Sequence, residues 1–252
     1  MSRPLILLSN DDGYLAPGIG ALRTALSRFA DVVLCAPAVN QSASSHSLTL
    51  HSVLRLRRID DHTFALDGTP ADSVYVALHS GNRLLPRRPD LVVSGMNHGP
   101  NLGVDVVYSG TVAAAREGAN RGIPAVAVSA DNHADRAAAA ALGAEVAERL
   151  WHQISSRSRI GPAPLLNVNV PAGSSWTLRP TRLGRRLYDD DVIYRHDPRG
   201  REYLWIGGSE VEHDLTEGTD THAWEQGEAS VTPLTLALDD EAGADLCRTI
   251  AG

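Results

Sequence analysis

Two adjacent carboxylates, Asp11 and Asp12, come directly after a short apolar run near the start of the chain. Residues 4–9 read PLILLS, as expected of a buried strand, and the polar segment NDDGYLAP follows. Neighbouring carboxylates repel each other and raise a pKa unless a cation compensates their charge. Hard divalent cations such as Mg²⁺ or Mn²⁺ prefer such oxygen ligands. An isolated Asp-Asp-Gly is more typical of a turn and cap, so the metal hypothesis depends on the residues that face the pair.

Two further oxygen ligands follow other predicted strands. Ser42 lies in the polar loop after the apolar run 31–36, and Asn97 lies in SGMNHGPN after the apolar run 90–94. A hydroxyl and a neutral amide oxygen both suit a hard cation. We therefore predict a metal site formed by the two aspartates, Ser42 and Asn97. We also expect the aspartates and Asn97 to act in catalysis.

The segment YSGTVAAAREG predicts a helix that starts at Ser109, Gly110 and Thr111. The first amide groups of a helix have no partner within it, and the helix dipole favours an anion at that end. A phosphate group bound there would lie beside the predicted metal. The alternative is that Ser109 or Thr111 is an ordinary N-cap, which explains one residue but not the three together with the polar loops.

Apolar runs and helical patterns alternate along most of the chain. Their order predicts an α/β protein with a Rossmann-like, doubly wound and mainly parallel sheet, interrupted by a hairpin-like insertion at 49–66. Ligands bind such a sheet beyond the carboxyl ends of its strands, where the strand order reverses. The first strand and the one at 90–94 should flank that point, so the polar loops converge there. The predicted strands are 4–9, 31–36, 90–94, 124–128 and 165–170, and the predicted helices are 18–30, one from 70, 109–122 and 134–151.

The character of the chain changes near residue 175. Short β-like pieces alternate with turns rich in glycine and aspartate, and three of the four tryptophans lie there. We predict a Rossmann-like catalytic core at 1–174. Residues 175–252 are predicted to form a C-terminal antiparallel β extension that ends in a short helix near 239–250.

Composition argues against several classes of function. The 23 basic residues are all arginine and are outnumbered by 30 acidic residues, giving a formal net charge of −7. An acidic chain is unsuited to binding nucleic-acid polymers through a broad basic face, and a chain without lysine has no Schiff-base or P-loop lysine. We find no signal-peptide pattern and no apolar run of roughly 20 residues, so we expect a cytoplasmic protein without a membrane partner. We interpret Cys35 and Cys247 as small buried side chains.

Several catalytic motifs are absent from the sequence. No G-x-G-x-x-G follows the first strand, which argues against a dinucleotide-dependent oxidoreductase, and there is no G-x-S-x-G nucleophile elbow. Asp-Asp-Gly lacks the D-x-D spacing of phosphatases that form an aspartyl-phosphate. The ten histidines include no H-E-x-x-H or H-x-x-x-H pattern, so zinc is not expected. We interpret His98 as a solvent-facing loop residue rather than a catalytic one.

Taken together, the motifs resemble those of the SurE family, the stationary-phase survival proteins that are 5′/3′-nucleotidases. The matching segments are ILLSNDDGYLAPGI, APAVNQSASSHSLTL, GTPADSVY, PDLVVSGMNHGPNLGVDVVYSGTVAAAREG, IPAVAVS, LLNVNVP, DPRGREYLWIG and EGTD to QGEASVTPL. They cover nearly the whole chain. The resemblance implies hydrolysis of nucleoside 5′- and 3′-monophosphates to nucleoside and phosphate, with one divalent cation per subunit (Mg²⁺, Mn²⁺ or Ca²⁺).

The resemblance also implies roles for individual residues. The four predicted ligands match the family's metal ligands. The positions that match its phosphate contacts are Asn10, Ser109, Gly110 and Thr111, with Asn101 at the edge of the site. A nucleotide-binding regulatory protein that has kept the pocket without catalysis is the alternative function.

A homodimer or tetramer is implied as well, in which the C-terminal extension exchanges a hairpin between subunits. Two segments of the extension depart from the family pattern. Residues 189–191 form an unusual acidic run, and residues 208–217 match poorly. The resemblance therefore predicts the active site more closely than the assembly.

Overall fold

The computed structural model describes residues 3–155, 163–188, 192–206, 211–239 and 243–251. Its strands are β1 Leu5–Ser9, β2 Asp31–Pro37, β3 Leu56–Asp60, β4 Thr63–Leu66, β5 Leu91–His98, β6 Ala125–Ala130, β7 Leu165–Val170, β8 Leu178–Pro180, β9 Arg186–Tyr188, β10 Val192–His196, β11 Glu202–Ile206, β12 Val211–His213 and β13 Ala229–Leu234. Its α-helices are α1 Pro17–Leu26, α2 Pro70–His79, α3 Gly110–Asn120, α4 Arg136–Ser155, α5 Asp220–Glu225 and α6 Ala244–Ala251, and 3₁₀ turns occur at Gly81–Arg83 and Gly103–Val107.

Nine strands of the described chain form one sheet, in the order β3-β4-β2-β1-β5-β6-β7-β13-β8. The six from β4 to β7 in this order are parallel to one another. The chain builds the sheet outward from β1 in one direction and from β5 in the other, so the strand order reverses between these two strands. This confirms the predicted Rossmann-like doubly wound sheet and the strands expected to flank the reversal.

Helices cover both faces of the sheet because its central strands are apolar on both sides. Successive side chains of a strand point to opposite faces. Ile6 and Leu8 of β1 belong to the buried cluster that includes α1 and α4, whereas Leu5 and Leu7 belong to the cluster that includes α2 and α3. Each fully buried leucine stabilises the fold by roughly 2 kcal/mol relative to an exposed one.

Strand β5 is longer than the apolar run 90–94 predicted. It continues to His98, so Asn97 and His98 end a strand rather than lie in the following loop. The register against β6 shifts between Gly95 and Asn97. Gly95 has a φ of +126°, and a β-carbon there would lie 2.2 Å from the Val128 carbonyl oxygen, so no larger residue fits. The sequence analysis therefore missed residues 95–98 of β5, because they follow a shift in strand register that a pattern of apolar residues does not reveal.

The chain beyond residue 174 only partly follows its prediction. The ribbons β10–β11 and β9–β12 confirm an antiparallel extension, and α6 is the expected terminal helix. However, β13 pairs with β7 and β8 pairs in parallel with β13, so the main sheet takes two strands from this region. The short helix α5 lies where only β-like pieces were expected. The division at 174 stays a prediction, and the acidic run 189–191 and residues 207–210 lie outside the described residues.

The two cysteines differ in environment. Cys35 is buried, as predicted, and burial raises the pKa of its thiol to about 12. Cys247 is exposed, so its prediction is wrong for the single chain, because α6 buries none of its residues. The hairpin-like structure predicted at 49–66 is confirmed as β3–β4, but β4 pairs in parallel with β2, so this segment belongs to the main sheet rather than interrupting it. Among the described helices, none has both the length and the apolar character to cross a membrane.

Candidate active site

Asp11 lies directly after β1, and only 4% of the residue is exposed. The Thr111 hydroxyl at the start of α3 donates to its carboxylate, and the Gln41 amide donates to its carbonyl oxygen at 2.7 Å. Burial raises the pKa of the Asp11 carboxyl to about 6, the hydrogen bond from Thr111 opposes this shift, and the charge of Asp12 adds to it. A nearby cation would therefore stabilise the charged form of Asp11.

The Asp12 carboxylate contacts the segments that follow β2 and end β5. The Asn40 side-chain amide donates to Oδ1 at 3.3 Å, and the His98 backbone amide donates to Oδ2 at 3.3 Å. His98 Nδ1 lies 3.7 Å from the same Oδ2, and 40% of the histidine side chain is exposed. The histidine thus faces solvent, as expected, but its ring also lies beside the Asp12 carboxylate. Three strand ends therefore meet at Asp11 and Asp12, as the parallel sheet predicted.

Asn97 and Ser42 lie beside these contacts, but neither side chain hydrogen-bonds to an aspartate in the described structure. The Asn97 side-chain nitrogen donates to the Gly99 carbonyl at 2.9 Å, so its oxygen is the atom left for a ligand. Ser42 is exposed, and its amide donates to Asn40 Oδ1 at 2.9 Å. The structure thus brings the two aspartates together directly, whereas the loops of Ser42 and Asn97 reach them through neighbouring residues.

The donors at this position suit a hard divalent cation. Asp11 and Asp12 are adjacent and largely buried, and within the described residues their only ion-pair partner is a histidine. Such a pair is unfavourable without added positive charge, and carboxylate, hydroxyl and amide oxygens are the ligands that Mg²⁺, Mn²⁺ and Ca²⁺ prefer. The described residues contain no cluster of three or more His, Cys, Asp and Glu side chains that could hold a metal.

The start of α3 packs directly against Asp11. The Ser109 hydroxyl accepts the Val112 amide at 3.0 Å, which is the N-cap arrangement of the alternative interpretation. The Thr111 hydroxyl is engaged by Asp11. A β-carbon on Gly110 would lie 2.8 Å from the Asp11 β-carbon and 2.9 Å from Ser44 Oγ, so glycine permits this close approach. The Thr111 hydroxyl is thus held by the protein, whereas the Ser109 hydroxyl keeps its hydrogen and, with the Gly110 amide, can donate to an anion.

Asn10 and Asn101, the other two predicted phosphate contacts, are both tied to the protein. Asn10 is fully buried, donates to the Gly13 carbonyl at 2.9 Å and accepts the Gly13 amide at 3.2 Å, so it shapes the turn that carries the aspartates. Asn101 donates its side chain to Ser129 Oγ at 2.8 Å, and its amide donates to Asn169 Oδ1 at 2.8 Å. Both side chains therefore hold the loops around the site.

Sequence reasoning missed the buried polar residues behind Asn101. The Asn167 and Asn169 side chains donate to the Asn101 carbonyl at 2.8 and 3.1 Å. Both asparagines are fully buried in β7, where LLNVNV places them on one face of the sheet. Two asparagine side chains on the same face of an otherwise apolar strand are the sequence signal that could have identified these residues.

The loop that carries Ser42 is anchored to α3 by a second missed contact. His46 Nε2 lies 3.0 Å from Glu117 Oε2, and the glutamate side chain is only 3% exposed. Burial alone would raise the pKa of Glu117, but hydrogen bonds from His46 and Arg121 outweigh it and lower the pKa. Ser45 of the same loop has a φ of +51°, which is unusual for a non-glycine residue. Its amide donates to the Tyr108 carbonyl at 3.0 Å.

The C-terminal region supports the site from behind. The carbonyl of Asp105, in the 3₁₀ turn before α3, accepts the Ser109 amide at 3.0 Å. The Asp105 carboxylate accepts hydrogen bonds from Arg186 and, at 2.6 Å, from the Tyr188 hydroxyl, both in β9. Buried Asp220 accepts the Gly103 amide at 3.0 Å. The predicted extension thus holds the segment that leads into α3.

The chain is similar to proteins of one known family. The family model described as "Survival protein SurE" matches residues 6–190. A 5′-nucleotidase SurE of Sorangium cellulosum is 66% identical over 94% of this chain and 91% of that protein. Another, of Syntrophotalea carbinolica, is 46% identical over 93% of this chain and 92% of the relative. The crystal structure of the SurE protein from Aquifex aeolicus matches with a TM-score of 0.82 and 37% identity, covering 99% of this chain and 100% of that one.

Proposed function

The chain belongs to the SurE family, and from that premise we propose that it is a metal-dependent phosphomonoesterase acting on nucleoside 5′- and 3′-monophosphates. The observation that carries the proposal is the buried pair of Asp11 and Asp12 against the start of α3. This arrangement combines oxygen ligands for a cation with helix amides for a phosphate. The relatives named 5′-nucleotidase support the substrate class.

One divalent cation per subunit, Mg²⁺, Mn²⁺ or Ca²⁺, is the proposed cofactor. Its proposed ligands are Asp11, Asp12, Ser42 and Asn97. When bound, the cation would polarise the phosphoryl oxygens and offset the charge that builds on them. The adjacent buried carboxylates support this assignment, because a bound cation would offset both the burial of their charge and their mutual repulsion.

The residues of the chain orient the reacting groups. Thr111 holds the Asp11 carboxylate, and Asn40 with the His98 amide holds Asp12, so both carboxylates are positioned before substrate arrives. The start of α3 favours the negative charge of the phosphate. Asp11 or Asp12 takes the proton of a water that attacks phosphorus in line. The ester P–O bond then breaks, the nucleoside oxygen leaves with a proton from the acid so formed or from solvent, and no covalent enzyme intermediate forms.

For the phosphate we propose contacts from the start of α3, formed by Ser109, Gly110 and Thr111, with Asn10 and Asn101 at the edges. The Ser109 hydroxyl accepts the Val112 amide but keeps its own hydrogen, so this hydroxyl and the Gly110 amide are the donors that best fit the role. Asn97 would act beside the aspartates as a neutral ligand.

Release of phosphate from a panel of nucleoside monophosphates, measured with Mg²⁺, Mn²⁺ or Ca²⁺ and again with EDTA, tests the proposal. We expect release that depends on the cation and is abolished by EDTA. Nucleotide binding without release under any of these conditions would contradict it and favour the regulatory alternative.

The remaining assignments are also proposals. We assign residues 175–252 to homodimer or tetramer formation, and we place the protein in the cytoplasm without nucleic-acid or membrane partners. Exposed apolar side chains on the ribbon β10–β11, including Trp205 and Ile206, support an assembly role. Sedimentation of the full chain would test it.

A further inference from the structure

A cavity of about 280 Å³ opens beside Asn97, on the side of β5 that faces β6. It lies at the carboxyl ends of these strands and the start of α4. Its walls are Met96, Asn97, His98, Ala130, Asp131, Asn132, Ala134 and Arg136. We infer that this cavity binds the nucleobase of the substrate, with Arg136 and Asn132 as its specificity-determining residues. This inference rests on the proposed function and deepens it.

The position of the cavity relative to the carboxylates supports this assignment. His98 lines the cavity while its backbone amide donates to Asp12 at 3.3 Å, so cavity and carboxylate pair share a wall. Adjacent strands of a sheet lie about 4.8 Å apart, so β1 and β6 are about 10 Å apart. A nucleotide with its phosphate beside Asp11 can span that distance and place its base beyond Asn97.

The chemistry of the walls suits a nucleobase better than a second phosphate. Met96, Ala130 and Ala134 offer apolar surface for the faces of a ring, and the Asn132 amide can both donate and accept hydrogen bonds. Asp131 places a carboxylate on the same wall, which disfavours a further anion. A base presents flat apolar faces and an edge of donors and acceptors, and these walls match both.

Arg136 is the polar group of the cavity with the most unused bonding capacity. It is exposed and, in the described part of the chain, forms no hydrogen bond or ion pair. Its planar guanidinium can stack on a base or donate to ring nitrogens and carbonyl oxygens at the base edge. The walls are held firmly, since the Gly99 amide donates to the Ala130 carbonyl and the Asp131 amide to Val170, both at 2.8 Å.

The variant Arg136→Met removes the guanidinium but keeps a side chain of similar reach. We expect KM for nucleoside monophosphates, and the inhibition constant of the free nucleoside, to rise about five- to twentyfold with kcat unchanged. KM for glycerol phosphate, which has no base, and inhibition by inorganic phosphate should stay as in the wild type. Asn132→Ala should change the relative KM values of different bases. Arg149→Met, on the same helix but paired with Glu145, is the matched control.

Two results would overturn the inference. Unchanged nucleotide KM and nucleoside inhibition in both cavity variants would show that the base lies elsewhere. If Arg136→Met weakens the binding of glycerol phosphate and of inorganic phosphate as much as that of nucleotides, Arg136 is a phosphate ligand instead. Failure of the proposed function is a different outcome, because the wild type would then release phosphate from neither nucleotides nor glycerol phosphate.

Discussion

The Thr111 hydroxyl donates a hydrogen bond to the Asp11 carboxylate, which joins the first turn of α3 to the end of β1. The same helix start is the proposed phosphate site, and the same carboxylate is a proposed metal ligand. One contact therefore fixes the two halves of the site relative to each other. A change at either residue should alter both cation binding and phosphate positioning.

Replacing Thr111 by valine removes this donor while keeping the branched shape. We expect kcat/KM to fall about tenfold, because one hydrogen bond to a charged group is lost. Thr111→Ser keeps the hydroxyl and should retain most activity. The measurement is steady-state hydrolysis of a nucleoside monophosphate at saturating Mn²⁺. Equal activity of the valine and serine variants would refute the role of the hydroxyl.

Asp11→Asn tests the carboxylate itself. We expect turnover to fall on the order of 10²–10³-fold, because the variant loses a charged metal ligand while the amide keeps the shape. Circular dichroism should show an unchanged fold. Asp31→Asn, at an exposed carboxylate that pairs with Arg3, should retain full activity. Near-normal hydrolysis by Asp11→Asn at saturating Mn²⁺ would rule out the assignment.

The raised pKa of Asp11 predicts a pH dependence of stability in the metal-free protein. Its carboxyl titrates near pH 6 when folded but near its ordinary value of 3.8 when unfolded. The folded state thus holds the Asp11 proton more tightly than the unfolded state does. The stability that the protonated carboxyl contributes below pH 4 is lost as the pH rises through about 6. The loss is at most about 3 kcal/mol.

Urea unfolding in EDTA at pH 4, 5, 6 and 7 measures this effect as the difference between wild type and Asp11→Asn. The contributions of other titrating groups to the free energy of unfolding cancel in that comparison. Relative to the variant, the wild type should lose stability as pH rises, and excess Mn²⁺ at pH 7 should restore it. A difference independent of pH would contradict the burial of the Asp11 charge.

The sequence predicted those features of the fold that depend on local interactions between residues close in the chain. Apolar runs and helix caps specify β1, β5 and α3, and the reversal between β1 and β5 brings Asp11, Asp12 and their loops together. The pair of His46 and Glu117 joins residues 71 positions apart, and no local pattern signals it. Likewise, the packing of Gly95 against the Val128 carbonyl, which accompanies the irregular continuation of β5, is a tertiary contact. Local patterns thus predicted which strand ends and loops meet, whereas the contacts that support them required the three-dimensional structure.

The pair of His46 and Glu117 should govern cation affinity through the loop that carries Ser42. Glu117→Gln weakens the anchor to His46 and Arg121, so we expect the unfolding free energy to fall by about 1–2 kcal/mol. The dissociation constant for Mn²⁺ should rise several-fold, measured by calorimetry. Glu148→Gln, at an exposed glutamate on α4, is the control. Lower stability with unchanged Mn²⁺ affinity would limit the pair to a structural role.

The contact between Arg186 and Asp105 predicts that the C-terminal region influences catalysis. Both side chains are 15% exposed, and Asp105 also holds the Ser109 amide through its carbonyl. Among the described residues, Arg186→Met leaves the Tyr188 hydroxyl as the one donor to the Asp105 carboxylate, so the unfolding free energy should fall by about 2–3 kcal/mol. The segment before α3 should also loosen.

Steady-state kinetics and urea unfolding of Arg186→Met test this coupling together. We expect KM for a phosphate ester to rise several-fold at a cation concentration that saturates the variant. Arg179→Met removes an exposed pair with Glu228 and should leave both measurements near the wild-type values. If Arg186→Met is destabilised but keeps its KM, the extension stabilises the fold without positioning the phosphate site. A raised KM under conditions where urea unfolding shows the variant to be fully folded instead assigns the extension a direct part in holding the start of α3.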